Sequence, residues 1–242
     1  DLGIDVGGTG MKAALVDVET GELLSDRYRV DTPRPATPDT MATTIKQLVG
    51  ELDYDGPVGC CFPTVVVDGH ARSVSNLDES WRNVQIDETF ERATGMPFIV
   101  INDADAAAMA EMELGAGKGL DGLVLTITIG TGLGSGLFYN GQLIPNLELG
   151  HMAGKDGEPF EAYASKRARI NEELSWPEWG ERFNAFLKRA DRVVSPDHII
   201  IGGGTSKKYD LFKDAITIPT PVHVAKFLNN AGIIGAAVAA GK

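Results

Sequence analysis

The chain has 242 residues, 43% of them hydrophobic and 23% charged, with a formal net charge of -12 at pH 7. That is the balance of a globular protein, long enough for one large domain or two small ones. No apolar run reaches the roughly 18 residues of a membrane span, and the acidic surplus argues against a general nucleic-acid or anionic-membrane surface. Residue 1 sits at the start of a strand with no initiator Met, which reads as a few residues lying upstream and no signal peptide.

Residues 2–6 alternate apolar side chains into Asp5, and Gly7-Gly8-Thr9-Gly10 follows before a second alternating run at 11–18. This is a β-hairpin whose tight turn offers backbone N–H groups, the Thr9 hydroxyl and the Lys12 cation to an anion. Glycine there is expected to allow positive φ and close approach of a phosphate. Asp5, just before the loop, can hold magnesium or its water, since magnesium prefers oxygen ligands. A third strand is expected at 23–31.

The Pro-rich stretch 33–38 leads into a helix at about 39–52, capped by Thr37 or Asp39. A buried strand at 57–62 carries Cys60 and Cys61. Neighbours in a strand point to opposite faces, so a mutual disulfide is not expected; two buried thiols fit a reducing cytoplasm, and a thiolate zinc site is excluded. Residues 65–75 read as a strand pair turning at Asp68-Gly69, and Asn76 to Asn83 as polar and irregular, with Trp81. A helix at 86–95 stops at Gly95, and a short strand runs from Phe98 to Ile101. Asn102-Asp103 ends it, and Ala104 to Leu114 is helical.

After a Gly-rich link at 115–122, Leu125 to Gly132 repeats the opening pattern and continues through Leu133-Gly134-Ser135-Gly136, with Asn140-Gly141 as the next hairpin turn. Two such hairpins, more than a hundred residues apart, suggest a duplicated domain and a clamp on a phosphoryl donor. Residues 143–161 are irregular and polar; helices follow at about 161–174 and 177–192. The strand His198 to Ile201 runs into Gly202-Gly203-Gly204-Thr205-Ser206. The last helix, Ala231 to Ala240, is small and apolar, hence buried, with Gly232 and Gly235 allowing close backbone approach. Helix–strand alternation given twice reads as α/β with two similar domains and a ligand cleft between them.

Gly117-x-Gly119-x-x-Gly122 follows a helix and precedes a strand, the wrong context for a dinucleotide fingerprint. There is no P-loop motif and no His-Glu-x-x-His run. Lys166, Arg167 and Arg169, and Lys207 with Lys208, are candidates for a local basic groove; solvated helix and loop ends are the plainer reading.

Asp103 is the best candidate for a catalytic base, since strand C-termini in α/β proteins face the ligand crevice. A helix N-cap is the competing role for the same oxygens, and Asn102 or Ala104-Asp105 can share it. Glu148 and His151 lie three apart in a polar segment and suit hydrogen bonds to the hydroxyls of a polyol; a lone His is more often structural. Glu161 joins them or favours the next helix N-terminus.

Asp5-Val6-Gly7-Gly8-Thr9, Asn102-Asp103-Ala104, Ile129-Gly130-Thr131-Gly132-Leu133-Gly134, Glu148-x-Gly150-His151 and Gly202-Gly203-Gly204 resemble, in order and spacing, the motifs of the ROK sugar kinases. Within that family the chain resembles the bacterial polyphosphate/ATP-dependent glucokinases and glucomannokinases. Glu148-Leu149-Gly150-His151, Gly204-Thr205-Ser206-Lys207-Lys208 and Asn229-Asn230-Ala231-Gly232-Ile233 add to the likeness.

The resemblance implies a two-domain actin-like, hexokinase-like (ribonuclease H-like) α/β ATPase fold with an interdomain cleft. The expected division is 1–114 for phosphate and sugar, with the helix 231–242 packing back on it, and 115–230 for nucleotide or polyphosphate. It implies phosphorylation of glucose, and of mannose, at the 6-hydroxyl from polyphosphate or ATP with Mg2+, with Asp103 as base. Asn76, Asn102, Glu148, His151 and Glu161 would hold the hexose. Asp5, Gly7, Gly8, Thr9, Lys12, Thr131 and Gly132 would handle phosphates and magnesium, and Gly203 and Gly204 would approach the nucleotide. The expected setting is the cytoplasm, as monomer or homodimer, with no nucleic-acid or membrane partner.

Most of the family carries a Cys-rich zinc loop after Glu-x-Gly-His. Here Ala153 to Phe160 has no Cys, and a zinc site needs about four ligands. A zinc-free member is therefore expected. The rival readings are an ATP-only kinase for fructose or an N-acylhexosamine, and a non-catalytic sugar-sensing regulator; the regulators carry a DNA-binding domain ahead of the phosphate hairpin.

Overall fold

Leu2, Ile4 and Val6 point one way from their strand and Gly3 and Asp5 the other, the period of two that a sheet covered by different partners on its two faces requires. In the computed structural model, which describes residues 1–74, 77–154 and 157–242, this run is strand β1 (Leu2–Val6), central in a five-stranded sheet. Strands β2 (Gly10–Leu15) and β3 (Tyr28–Asp31) pair antiparallel to one side of it. Helix α1 (Pro38–Gly50) and strand β4 (Val58–Phe62) follow, then the two-stranded ribbon β5 (Val66–Val67) and β6 (His70–Ala71). Helix α2 (Ile86–Thr94) and strand β7 (Phe98–Asn102) come next, and β4 and β7 pair parallel on the other side of β1. Helix α3 (Asp103–Leu114) leaves the end of β7.

A second sheet repeats the plan. Strands β8 (Leu123–Ile129), β9 (Leu133–Tyr139) and β10 (Gln142–Ile144) form an antiparallel meander. After helices α4 (Phe160–Ala164), α5 (Lys166–Asn171) and α6 (Trp176–Val194), strands β11 (His198–Gly202) and β12 (Val222–Val224) add parallel to β8. The orders β3-β2-β1-β4-β7 and β10-β9-β8-β11-β12 are the same connectivity twice. Helix α7 (Ala231–Ala240) closes the chain. The chain divides into two units, Asp1–Ala110 with Asn230–Lys242, and Glu111–Asn229. The first division falls inside α3, the same helix that ends at the expected boundary after residue 114.

In the first unit, Met41, Ile45 and Leu48 of α1 and Phe90 of α2 bury against Leu2, Ile4, Cys60 and Phe62. Trp81, from the stretch expected to be polar, is fully buried there and donates from Nε1 to Ala36 O at 2.8 Å. The opposite face belongs to α7. A Cβ on Gly3, Gly59 or Gly235 would strike the carbonyls of Ile233, Ala236 and Ala106, so glycine is what lets these backbones touch. Cys60 and Cys61 are free, buried and on opposite faces, as expected.

The core of the second unit is aromatic. Trp179, Phe183 and Phe186 of α6 and Phe212 are buried against Leu125, Ile127, Ile199 and Ile201. Ser175 and Glu178 close a reciprocal capping box at the start of α6.

The structure departs from the sequence pattern in four places. The strand expected at 23–31 is only β3, because Asp17, Thr20 and Ser25 hold the stretch before it in turns. The helix expected at 161–174 breaks at Ser165, whose extended backbone ends α4 and whose hydroxyl caps α5 through Ala168 N. Strand β12 and the 3-10 run Gly204–Leu211 carry no pattern that announces them in the sequence. The positive φ expected of the hairpin-loop glycines is absent from Gly7, Gly8, Gly10, Gly130 and Gly132.

Candidate active site

Asp5 sits on the α7 face of the first sheet, in register with Lys12 of β2 on one side and Cys61 of β4 on the other. Residues paired in this way share a face. Lys12 Nζ donates to Asp5 Oδ2 at 2.9 Å and the Cys61 thiol donates to Oδ1 at 3.4 Å. The Lys12 cation is therefore already paired with the carboxylate beside it. The loop beyond is closed by Gly7 N to Gly10 O at 3.1 Å and buttressed by Thr32 Oγ1 donating to Gly7 O at 2.5 Å. Gly8 and Thr9 are exposed, and the space where a Gly8 side chain would stand is open.

A cavity of about 290 Å3 opens beside Gly7 and Gly8, walled by Val6, Pro33, Met41 and Pro63, with Arg34 and Asp78 at its polar edge. Mostly apolar walls with a few polar groups are the usual make-up of a small-molecule site. Thr32 and Arg34 carry no motif in the sequence, and Cys61 reads there only as a buried strand thiol. Arg34 lies in the Pro-rich stretch 33–38 with Thr32 just ahead of it, and Cys61 meets Asp5 only through strand register.

At the end of β7 the side chains of both Asn102 and Asp103 meet the first turn of α3. Asn102 is buried; its Oδ1 accepts from Ala104 N at 2.8 Å and Asp105 N at 3.1 Å, and its Nδ2 donates to Thr64 O at 2.9 Å. Asn102 is thus the N-cap of α3. Asp103 is exposed, with Oδ1 accepting from Ala104 N at 2.8 Å. The structure gives Asn102 a capping and loop-tying role ahead of the sugar contact expected of it. Asn76 lies outside the described residues.

In the second unit, Glu148, His151 and Glu161 come together. His151 Nδ1 is 3.8 Å from Glu148 Oε2, and its Nε2 is 3.8 Å from Glu161 Oε1. Both distances exceed a hydrogen bond, so these groups keep capacity for a ligand's hydroxyls. Glu161 Oε2 accepts from Leu133 N at 3.3 Å, which anchors the trio to the second hairpin loop. A Cβ on Gly132 would strike that carboxylate, and one on Gly150 the Leu133 carbonyl. Ser135 locks the segment by donating to Leu147 O at 2.6 Å and accepting from Leu149 N at 2.9 Å. Burial raises the Glu148 carboxyl above its ordinary range; His151 opposes the shift and Glu161 adds to it.

The remaining phosphate candidates gather at the same loop. Thr131 is exposed on it, and Lys166 N donates to Gly130 O at 3.3 Å, so the basic start of α5 abuts it. Gly203 has φ +76, and a Cβ there would strike the backbone of Ile129. Lys207 and Lys208 are exposed on the 3-10 run that begins at Gly204. Arg169 departs from the basic-groove reading: its guanidinium lies 4.0 Å over the Trp176 ring and donates to Leu174 O at 2.8 Å.

Comparison with known proteins agrees with this arrangement. The model of the ROK family matches residues 1–163. Polyphosphate glucokinase of Mycobacterium tuberculosis is 40% identical over 239 residues, covering 98% of this chain and 90% of that protein. The Mycobacterium leprae polyphosphate glucokinase is 37% identical, covering 98% and 74%. Among solved structures, inorganic polyphosphate/ATP-glucomannokinase from Arthrobacter sp. strain KM has a TM-score of 0.94 at 42% identity, covering 99% of this chain and 97% of that one. A ROK family glucokinase from Streptomyces griseus, in complex with glucose and AMPPNP, has a TM-score of 0.83 at 27% identity, covering 98% and 97%. With the two-domain hexokinase-like fold of these proteins and their motifs in order, the chain belongs to the ROK family, among its sugar-kinase phosphotransferases.

Proposed function

We propose that the protein phosphorylates glucose, and mannose as well, at the 6-hydroxyl, with polyphosphate or ATP as donor, Mg2+ as cofactor and Asp103 as general base. The observation that carries the base is the division of labour at the start of α3. Asn102 takes the cap, and Asp103 presents an exposed carboxylate at the C-terminal end of a parallel strand. The names of the Mycobacterium and Arthrobacter relatives support the acceptor and the two donors.

In this reading Glu148, His151 and Glu161 hold the hexose hydroxyls, and Asn102 keeps Asp103 and the Thr64 loop in place. The proton of the 6-hydroxyl passes to an Asp103 carboxylate oxygen as O6 bonds to the terminal phosphorus. The bridging P–O bond breaks, releasing ADP or a polyphosphate one unit shorter. The family resemblance assigns the phosphates to backbone and hydroxyl groups of the Gly7-Gly8-Thr9 and Gly130-Thr131-Gly132 loops, and the nucleotide to Gly203 and Gly204. Lys12 balances Asp5, and Lys166, Arg167, Lys207 and Lys208 draw in the polyanion.

Magnesium usually keeps several waters and takes one or two carboxylates plus substrate phosphates. Asp5 fits: it is a largely buried carboxylate beside the loop, and with one partner on each oxygen it retains lone pairs for a magnesium-bound water. When bound, the ion offsets charge on the donor's phosphates. Zinc has no part in this reading. The loop after His151 is closed by Gly154 N to Glu158 O at 2.7 Å and Phe160 N to Met152 O at 2.9 Å. One zinc per chain in elemental analysis would overturn that.

Two buried free thiols support a cytoplasmic setting, and no described helix is long and apolar enough to cross a membrane. The test is glucose phosphorylation with Mg2+, comparing ATP and polyphosphate as sole donors. Activity with both supports the proposal. ATP alone removes the polyphosphate claim, and activity only on fructose or an N-acylhexosamine removes the glucose claim. Activity on no hexose leaves the regulator.

A further inference from the structure

Asp5 is flanked in register by one charged and one neutral donor. Lys12 takes Oδ2 and the Cys61 thiol takes Oδ1. Cys61 is fully buried, and the first turn of α7 covers the pair: a Cβ on Gly232 would lie 3.2 Å from Cys61 Sγ and 3.4 Å from the Asp5 carboxylate. The positive end of a ten-residue helix thus lies against the same carboxylate. The neighbouring thiol behaves differently. Cys60 points to the other face of the sheet, and its thiol donates to the Cys61 carbonyl at 3.7 Å rather than to a carboxylate.

From this geometry we infer that Cys61 is a positioning residue for phosphoryl transfer, fixing the rotamer of Asp5 by donating its thiol proton to Oδ1. A carboxylate that must meet a hydrated cation needs a defined direction. Partners behind such carboxylates usually matter nearly as much as the carboxylates themselves. With Lys12 alone the carboxylate can turn about its last bond; the thiol on the second oxygen removes that freedom. The thiol is the donor of this pair, since a carboxylate oxygen can only accept. The role at Asp5 rests on the kinase reading; the hydrogen bond itself does not.

The experiment has two arms that fail separately. Infrared spectra of the intact protein in the S–H stretching region should contain two bands, one from each cysteine, with the Cys61 band identified by its loss in Cys61→Ser. Asp5→Asn is expected to move the Cys61 band to higher frequency and leave the Cys60 band in place. An unmoved Cys61 band overturns the contact, whatever the protein catalyses. In the second arm, Cys61→Ala is expected to lower kcat by roughly 10–100-fold with KM for the sugar unchanged. Cys61→Ser, which keeps a donor, is expected to recover most of the loss. Full activity in Cys61→Ala, or loss in Cys61→Ser equal to that in Cys61→Ala, overturns the positioning role. An inactive wild-type protein that still shows the band shift sinks the kinase reading and not the hydrogen bond.

Discussion

Asn102 Oδ1 accepts the backbone N–H groups of both Ala104 and Asp105, so the residue before Asp103 does the capping. Loss of charge at position 103 therefore leaves the Asn102 cap in place, and an amide side chain there can still accept from Ala104 N. Asp103→Asn is expected to cut kcat by about 10²–10⁴-fold, the range for a lost general base, with the Kd for sugar nearly unchanged. Stopped turnover with unaltered melting is the expected pair of results; near-normal turnover would remove the base assignment.

Asn102→Ala is the complementary case. It removes the cap and the tie to Thr64 O, and is expected to cost about 0.5–2 kcal/mol for the cap alone. Urea denaturation would report it as a lower midpoint. An unchanged midpoint would mean that Asp103 can take over the cap.

Glu148 carries a cost in stability. Its carboxyl is raised in the folded state, so between the ordinary glutamate pKa, ~4.3, and the folded value the native protein binds more protons than the unfolded chain. Its contribution to stability therefore falls as pH rises through that window and stays low above it. Glu148→Gln is expected to be more stable than wild type at pH 7 and to lose that advantage near pH 4, while binding glucose more weakly. Denaturation curves at the two pH values, with sugar titrations, would check it.

Lys207 and Lys208 are exposed on the run that starts at Gly204. If they guide the donor, a long polyanion feels them more than a nucleotide does. The double change Lys207→Glu, Lys208→Glu is expected to raise KM for polyphosphate on the order of tenfold at low salt, with a smaller change for ATP. Equal loss with both donors would count against a basic path.

Gly235 tests the packing of α7. A methyl group there would strike the Ala106 carbonyl, so Gly235→Ala is expected to cost about 1–3 kcal/mol. A melting temperature equal to wild type would show that the helix can shift without loss.

Much of this was legible from local pattern. The two hairpins announce themselves by alternation broken by glycine and threonine. The small apolar run at the C-terminus forecasts a helix in close backbone contact. Glu148 and His151 stand out because no strand or helix period explains them. What was hidden depends on partners far along the chain. Cys61 meets Asp5 only through strand register. Trp81 becomes core because its ring reaches Ala36 across 45 residues. Arg169 is claimed by Trp176 rather than by an anion. Strand β12 is three residues long, too short to show a period. The break at Ser165 reflects a serine side chain that caps a new helix where propensity alone would continue the old one.

The first unit is discontinuous: it needs residues 230–242, whose helix covers Gly3 and Gly59 from behind, while the second unit is one unbroken stretch. Synthesis from the ribosome therefore imposes an order on folding. The sheet begun at residues 2–6 waits, one face bare, until residues 231–240 have been made, and the unit made in between can finish first. Chaperone demand should then fall on the discontinuous unit, the one that carries Asp5 and Asp103.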